Sequence, residues 1–82
     1  MIQPRVFGGK LIIYPSPVHD NLFISGINSL ERYTIFDVYG QVLLEGNIAN
    51  NEFINVNSLK TGNYLIKFKN INEVQTKIFT KL

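Results

Sequence analysis

The 82-residue sequence predicts an all-β domain, an antiparallel β-sandwich of about seven short strands, on three observations. Turn-forming residues punctuate the chain closely: Gly8-Gly9, Pro15 and Pro17, Gly26, Gly40, Gly46, Asn50-Asn51, Gly62 and Asn70. Between them lie runs of about four to eight residues rich in Ile, Val, Leu, Phe, Tyr and Thr, which have the length and composition of strands. No segment sustains a helical period, and only Ser29-Leu30-Glu31-Arg32 has the makings of a single turn.

Residues 1–9, with Pro4 and Gly8-Gly9, read as a leader or linker, and residues 10–82 as the domain. The first strand, Lys10–Tyr14, turns Ile12 inward and ends at Pro15 and Pro17, whose rings fix φ. His19-Asp20 then rides a polar turn into Asn21–Ser25, with Leu22 and Ile24 inward. The third strand, Arg32–Asp37, buries Ile35. A hairpin at Asp37-Val38-Tyr39-Gly40, where Gly40 allows positive φ, leads into Gln41–Glu45 with Val42 and Leu44 inward. In Glu52–Val56, Ile54 and Val56 alternate with Asn55 and Asn57, and Leu59 follows as a core residue. Asn63–Lys69 sets Tyr64, Ile66 and Phe68 on one face and Leu65, Lys67 and Lys69 on the other. The last strand, Glu73–Lys81, sends Ile78 to the core and presents Lys77, Phe79 and Lys81 outward. Leu59-Lys60-Thr61-Gly62-Asn63-Tyr64 has the form of a tyrosine corner, in which the hydroxyl returns to upstream backbone. It makes the predicted sandwich immunoglobulin-like.

A chain of this size has one core and buries only about 60–65% of its unfolded surface. There is no cysteine to staple it, and one histidine cannot build a structural zinc site, so apolar packing and strand pairing must hold it. With 45% hydrophobic and 17% charged residues it is not a disordered tail. A net charge of +2 without a basic run argues against nucleic acid. No apolar stretch approaches the roughly 20 residues of a membrane-spanning helix. The start lacks the basic-then-apolar pattern of a secretory signal.

Acid–base chemistry has one place to begin, His19-Asp20. A catalytic histidine needs a nucleophile or metal and an orienting partner, and no second histidine or cysteine exists to supply them. The pair is read as a turn in which Asp20 and Asn21 bond local backbone amides. Asp37 has too few neighbouring acids for a calcium loop. No catalytic residue, cofactor or metal is therefore expected. Ten aromatics, none of them tryptophan, include Phe7, Tyr14, Phe23, Phe53 and Tyr39; a row of exposed rings could stack on sugars or single-stranded nucleic acid. Their spacing in the strands favours core packing.

The order of motifs is more specific than any one of them. "IIYPSPVHDNLFI", "YTIFDVYGQVLLEG", "NVNSLKTGNYLIKFK" and a final "TKIFTKL" together resemble the type A C-terminal sorting domain of the type IX (Por) secretion system. That family shows a Tyr/Phe-Pro-Asn-Pro opening, an Asp-x-x-Gly turn, a Leu-x-x-Gly-x-Tyr corner and a basic end. Tyr14-Pro15-Ser16-Pro17 matches with Ser16 in place of Asn, and Asp37 to Gly40, Leu59 to Tyr64, and Lys77 with Lys81 fit directly. The resemblance spans residues 11–82 and implies a non-enzymatic address label at the end of exported cargo. Such a label is recognised by the outer-membrane translocon and commonly removed by a sortase-like peptidase. It also implies passage through the periplasm to the cell surface or medium. The absent secretory signal is then expected, if this chain is the tail of a larger precursor. Lys77, Phe79, Lys81 and Leu82 are the candidate recognition residues, and unpaired edge strands point to self-association. The alternative is a carbohydrate-binding or adhesive β-sandwich of a cell-surface protein, since fold alone does not choose between them.

Overall fold

Strands form where the apolar runs lie: β1 (Ile12–Tyr14), β2 (Asn21–Ser25), β3 (Glu31–Phe36), β4 (Val42–Ile48), β5 (Phe53–Asn55), β6 (Gly62–Lys69) and β7 (Val74–Lys81). The computed structural model describes residues 11–27, 29–70 and 73–82, none of them helical. The predicted leader, Lys10 and Phe7 lie outside the described residues. Two antiparallel sheets, ordered β1-β2-β5 and β4-β3-β6-β7, face each other as an immunoglobulin-like sandwich. Ser29-Leu30-Glu31-Arg32 makes no helical turn. Its last two residues open β3, and Leu30 is exposed.

The core between the sheets is apolar. Leu22, Ile24, Ile54 and Val56 come from the smaller sheet, and Ile35, Tyr64, Ile66 and Phe68 from the larger. Leu59 seals one end. These nine residues sit as the alternation predicts. Three do not. Ile12 faces solvent because Ile13 is the residue paired with Ile24, so Leu11 and Ile13 turn inward instead. In a run that is apolar on both faces, only this cross-strand register decides. Val42 faces out because a bulge between Ile35 and Phe36 sets it opposite Phe36. Ile78 is 70% exposed, and Phe79 is buried in its place at 1%. Leu44 is half-buried and packs against the core.

Strand bounds shift for the same reasons. β4 runs through Gly46 to the buried Ile48 because the Tyr33 ring lies over the glycine; a Cβ there would stand 3.0 Å from Tyr33 Oη. Val18, Ile27 and Ile48 join the core from positions with no periodic signal.

The aromatics divide. Tyr64, Phe68 and Phe79 are buried, while Tyr39 is 92% exposed at its turn. Tyr14, Phe23 and Phe53 form a ladder across the solvent face of β1, β2 and β5, with centroid spacings of 5.7 and 5.4 Å. Outer rungs of this kind stabilise strands that share only three residue pairs each.

The two turn motifs form as expected. Asp37 Oδ1 accepts from the Tyr39 and Gln41 amides, both at 2.9 Å, and Gly40 takes φ +86°. The Tyr64 hydroxyl donates to the Lys60 carbonyl at 2.6 Å, closing the corner. Gly62 enters that corner at φ +157°, where side chains are strained even though a Cβ would meet nothing within 4 Å. Gly62→Val is therefore expected to cost about 1–3 kcal/mol from backbone strain alone. Urea titration measures it; an unchanged midpoint would show that the corner tolerates a side chain.

Candidate functional site

The segment that carries the predicted recognition residues is β7, an edge strand held over its whole length. It pairs with β6 from Gly62↔Lys81 to Lys69↔Val74 without interruption. Tyr64 faces the core through its corner, so Phe79, directly opposite, must share that face. Their rings stack at 5.7 Å. This register corrects the outward placement of Phe79. The alternation of β7 offers large apolar residues on both faces, Val74 and Ile78 on one and Phe79 on the other, and the lysines beside Phe79 point it toward solvent. At the rim of a sheet, however, lysine stems can lie along apolar surface while their ammonium groups reach out.

Lys81 does this. It is only 7% exposed, and its Nζ donates to the Leu82 backbone oxygen at 2.6 Å. Lys77, opposite Ile66, lies on the same inward side and is half-buried. Leu82 is exposed. The four predicted residues are thus adjacent in the fold but do not form one outward face. The outer face of β7 carries Val74, Thr76, Ile78 and Thr80 instead.

Ile78 opens onto an apolar groove of about 440 Å³ lined also by Val38, Asn63, Tyr64 and Leu65. That volume falls within the roughly 300–1,000 Å³ typical of ligand pockets. Phe36 and Leu65, cross-strand neighbours of one another, extend the apolar surface across β3 and β6. Lys67 Nζ sits 5.3 Å from the Phe36 ring centroid, so a cation borders the patch. Arg32 on the same face is paired with Glu45 at 2.8 Å, a surface bridge worth little by itself. Ile78 joins this patch only through the register of β7, which the apolar pattern of the sequence does not decide.

The opening motif meets the closing one. Thr80 N donates to Ser16 Oγ at 3.2 Å. Val18 N donates to the Thr80 carbonyl at 2.8 Å, and Leu82 N donates to the Val18 carbonyl at 2.9 Å. The result is a short parallel bridge of Val18 with Lys81. Pro15 precedes the segment that makes it and Pro17 lies within it, both exposed. A bridge between positions so distant leaves no periodic trace, which is why sequence reasoning missed it.

His19 is exposed beside this bridge. Asp20 does not serve a local amide. Its carboxylate accepts from Asn57 Nδ2 at 2.6 Å, and its carbonyl accepts from the Val56 amide at 2.7 Å. Both bonds tie the turn to the chain after β5. Among the described residues no group of three or more His, Cys, Asp or Glu side chains could hold a metal ion. No helix among them is long and apolar enough to cross a membrane.

The match that decides the family is to a model described as a secretion system C-terminal sorting domain, over residues 12–81. The chain belongs to this family. No curated protein and no solved structure matches it. The sorting domain is a C-terminal signal for type IX secretion, directing an attached protein across the outer membrane toward the cell surface or the medium.

Proposed function

We propose that the translocon reads this domain as a folded object, without chemistry in the domain itself, and that the surface it reads is the outer side of β7. The supporting observation is the 70% exposure of Ile78 at the mouth of an apolar groove, on a strand whose other large residue, Phe79, is buried. A solvent-exposed aliphatic patch bordered by Lys67 suits a partner that brings an apolar side chain and acidic neighbours. Lys77 and Leu82 are reachable at the rim of the same strand and take part directly. Phe79 and Lys81 contribute by fixing the strand. After passage through the periplasm, removal by a sortase-like peptidase upstream of β1 would separate label from cargo without touching the sandwich.

A reporter fused ahead of the domain in a type IX-competent bacterium tests this reading. Ile78→Asp is expected to leave the fold intact, since the side chain faces water, and to lower export at least tenfold. Lys77→Ala is expected to lower it less. Normal export of a folded Ile78→Asp domain would remove the outer side of β7 as the recognition surface.

A further inference from the structure

Four strands lie at sheet edges: β1, β5, β4 and β7. Three are protected. β1 and β5 are three residues long, and β1 is followed directly by Pro15. β7 carries inward-facing Lys77 and Lys81, and the Val18 bridge covers its end. Short strands, inward charges and covering loops are the usual means by which an edge avoids pairing with another chain. Among the described residues, β4 has little of this. It is seven residues long and holds no proline and no lysine or arginine. Its one charge, Glu45, is held on the outer face by Arg32. Its irregularity is confined to the bulge before Leu44, so Leu44–Ile48 is a regular edge.

We propose that a second copy of this chain adds to that edge, β4 against β4, in a two-fold antiparallel register centred on Gly46. The sequence of the segment selects this register. Centred on Gly46, Leu44 pairs with Ile48 of the second copy and Glu45 with its Asn47, and no like charges meet. Centred on Glu45, two carboxylates would face each other. Centred on Asn47, Ile48 would lie opposite Gly46 and lose its apolar partner. Half-step registers would set core-facing residues against solvent-facing ones. Gly46, covered by Tyr33 of its own chain, adds no side chain at the symmetry axis. The product is a continuous eight-stranded sheet. Because β4 and β7 are opposite edges of the same sheet, pairing leaves the outer strand β7 open.

Sedimentation equilibrium of the full chain, from micromolar to millimolar concentration, tests the proposal with paired charge variants. Asn47 is exposed on the outer face, so both substitutions leave the fold in place. Asn47→Glu sets a carboxylate opposite Glu45 at both symmetric positions and is expected to weaken dimerisation at least tenfold. Asn47→Lys sets an ammonium there and is expected to tighten it severalfold. Thr76→Glu, on the β7 edge, is expected to change nothing. A wild-type chain that stays monomeric throughout overturns the proposal, as do equal dimer constants for the two Asn47 variants. A dimer broken by Thr76→Glu overturns it too, because the interface would then be β7.

Discussion

Phe79→Ala is expected to lower stability by about 3–5 kcal/mol and to leave much of the population unfolded at body temperature. The ring is 1% exposed and stacks on Tyr64, so truncation removes both buried area and an aromatic pair worth roughly 0.5–1.5 kcal/mol more than its area. Domains of this size sit near the low end of the usual range of about 5–15 kcal/mol, with little reserve. Ile78→Ala, one residue away, is expected to change stability by under about 0.5 kcal/mol, because Ile78 is 70% exposed. Urea midpoints for the two variants give the contrast. If the larger loss fell on Ile78, the register of β7 would be off by one residue.

Removing residues 73–82 is expected to abolish the cooperative fold. β7 supplies eight register pairs to β6 and the ring opposite Tyr64. Without it, Tyr64, Ile66 and Phe68 would lie on an open edge. The loss of Phe79 alone approaches the whole stability of a small domain, and the ladder adds to it. Circular dichroism and amide proton dispersion of residues 1–72 should show a collapsed or unfolded chain. Adding residues 73–82 as a free peptide should restore the dispersion, since the strand lies at an edge and can enter from outside. A truncated domain that melts cooperatively by itself would make β7 an accessory to the fold.

Much of the fold was legible in the sequence because its turns are written in specific chemistry. Asp37 to Gly40 must reverse the chain, and Leu59 to Tyr64 must form a corner, whatever surrounds them. Strands between such fixed points follow. The face a strand buries was legible only where one face alone was apolar, as in β6. β1 and β7 are apolar on both faces, and there the choice belongs to long-range register: Ile13 opposite Ile24, and Phe79 opposite Tyr64. Glu31 shows the same limit. Read as part of a turn, it opens β3 almost fully buried, with one carboxylate oxygen bonded by Ser29 and Asn70 and the other without a partner among the described residues. The candidate site suffered most, since its residues lie on β7, whose buried face the pattern alone does not decide.

The bridge of Val18 with Lys81 also sets how the domain bears load. On the proposed reading, cargo attached ahead of β1 pulls on one end while a receptor holds β7 at the other. Between these points the shortest mechanical path runs along residues 11–18 and across three hydrogen bonds: Thr80 N to Ser16 Oγ, Val18 N to the Thr80 carbonyl and Leu82 N to the Val18 carbonyl. Tension between cargo and receptor would therefore load β1 and this bridge before the larger sheet. The bridge is then expected to act as a fuse, opening before the larger sheet is loaded.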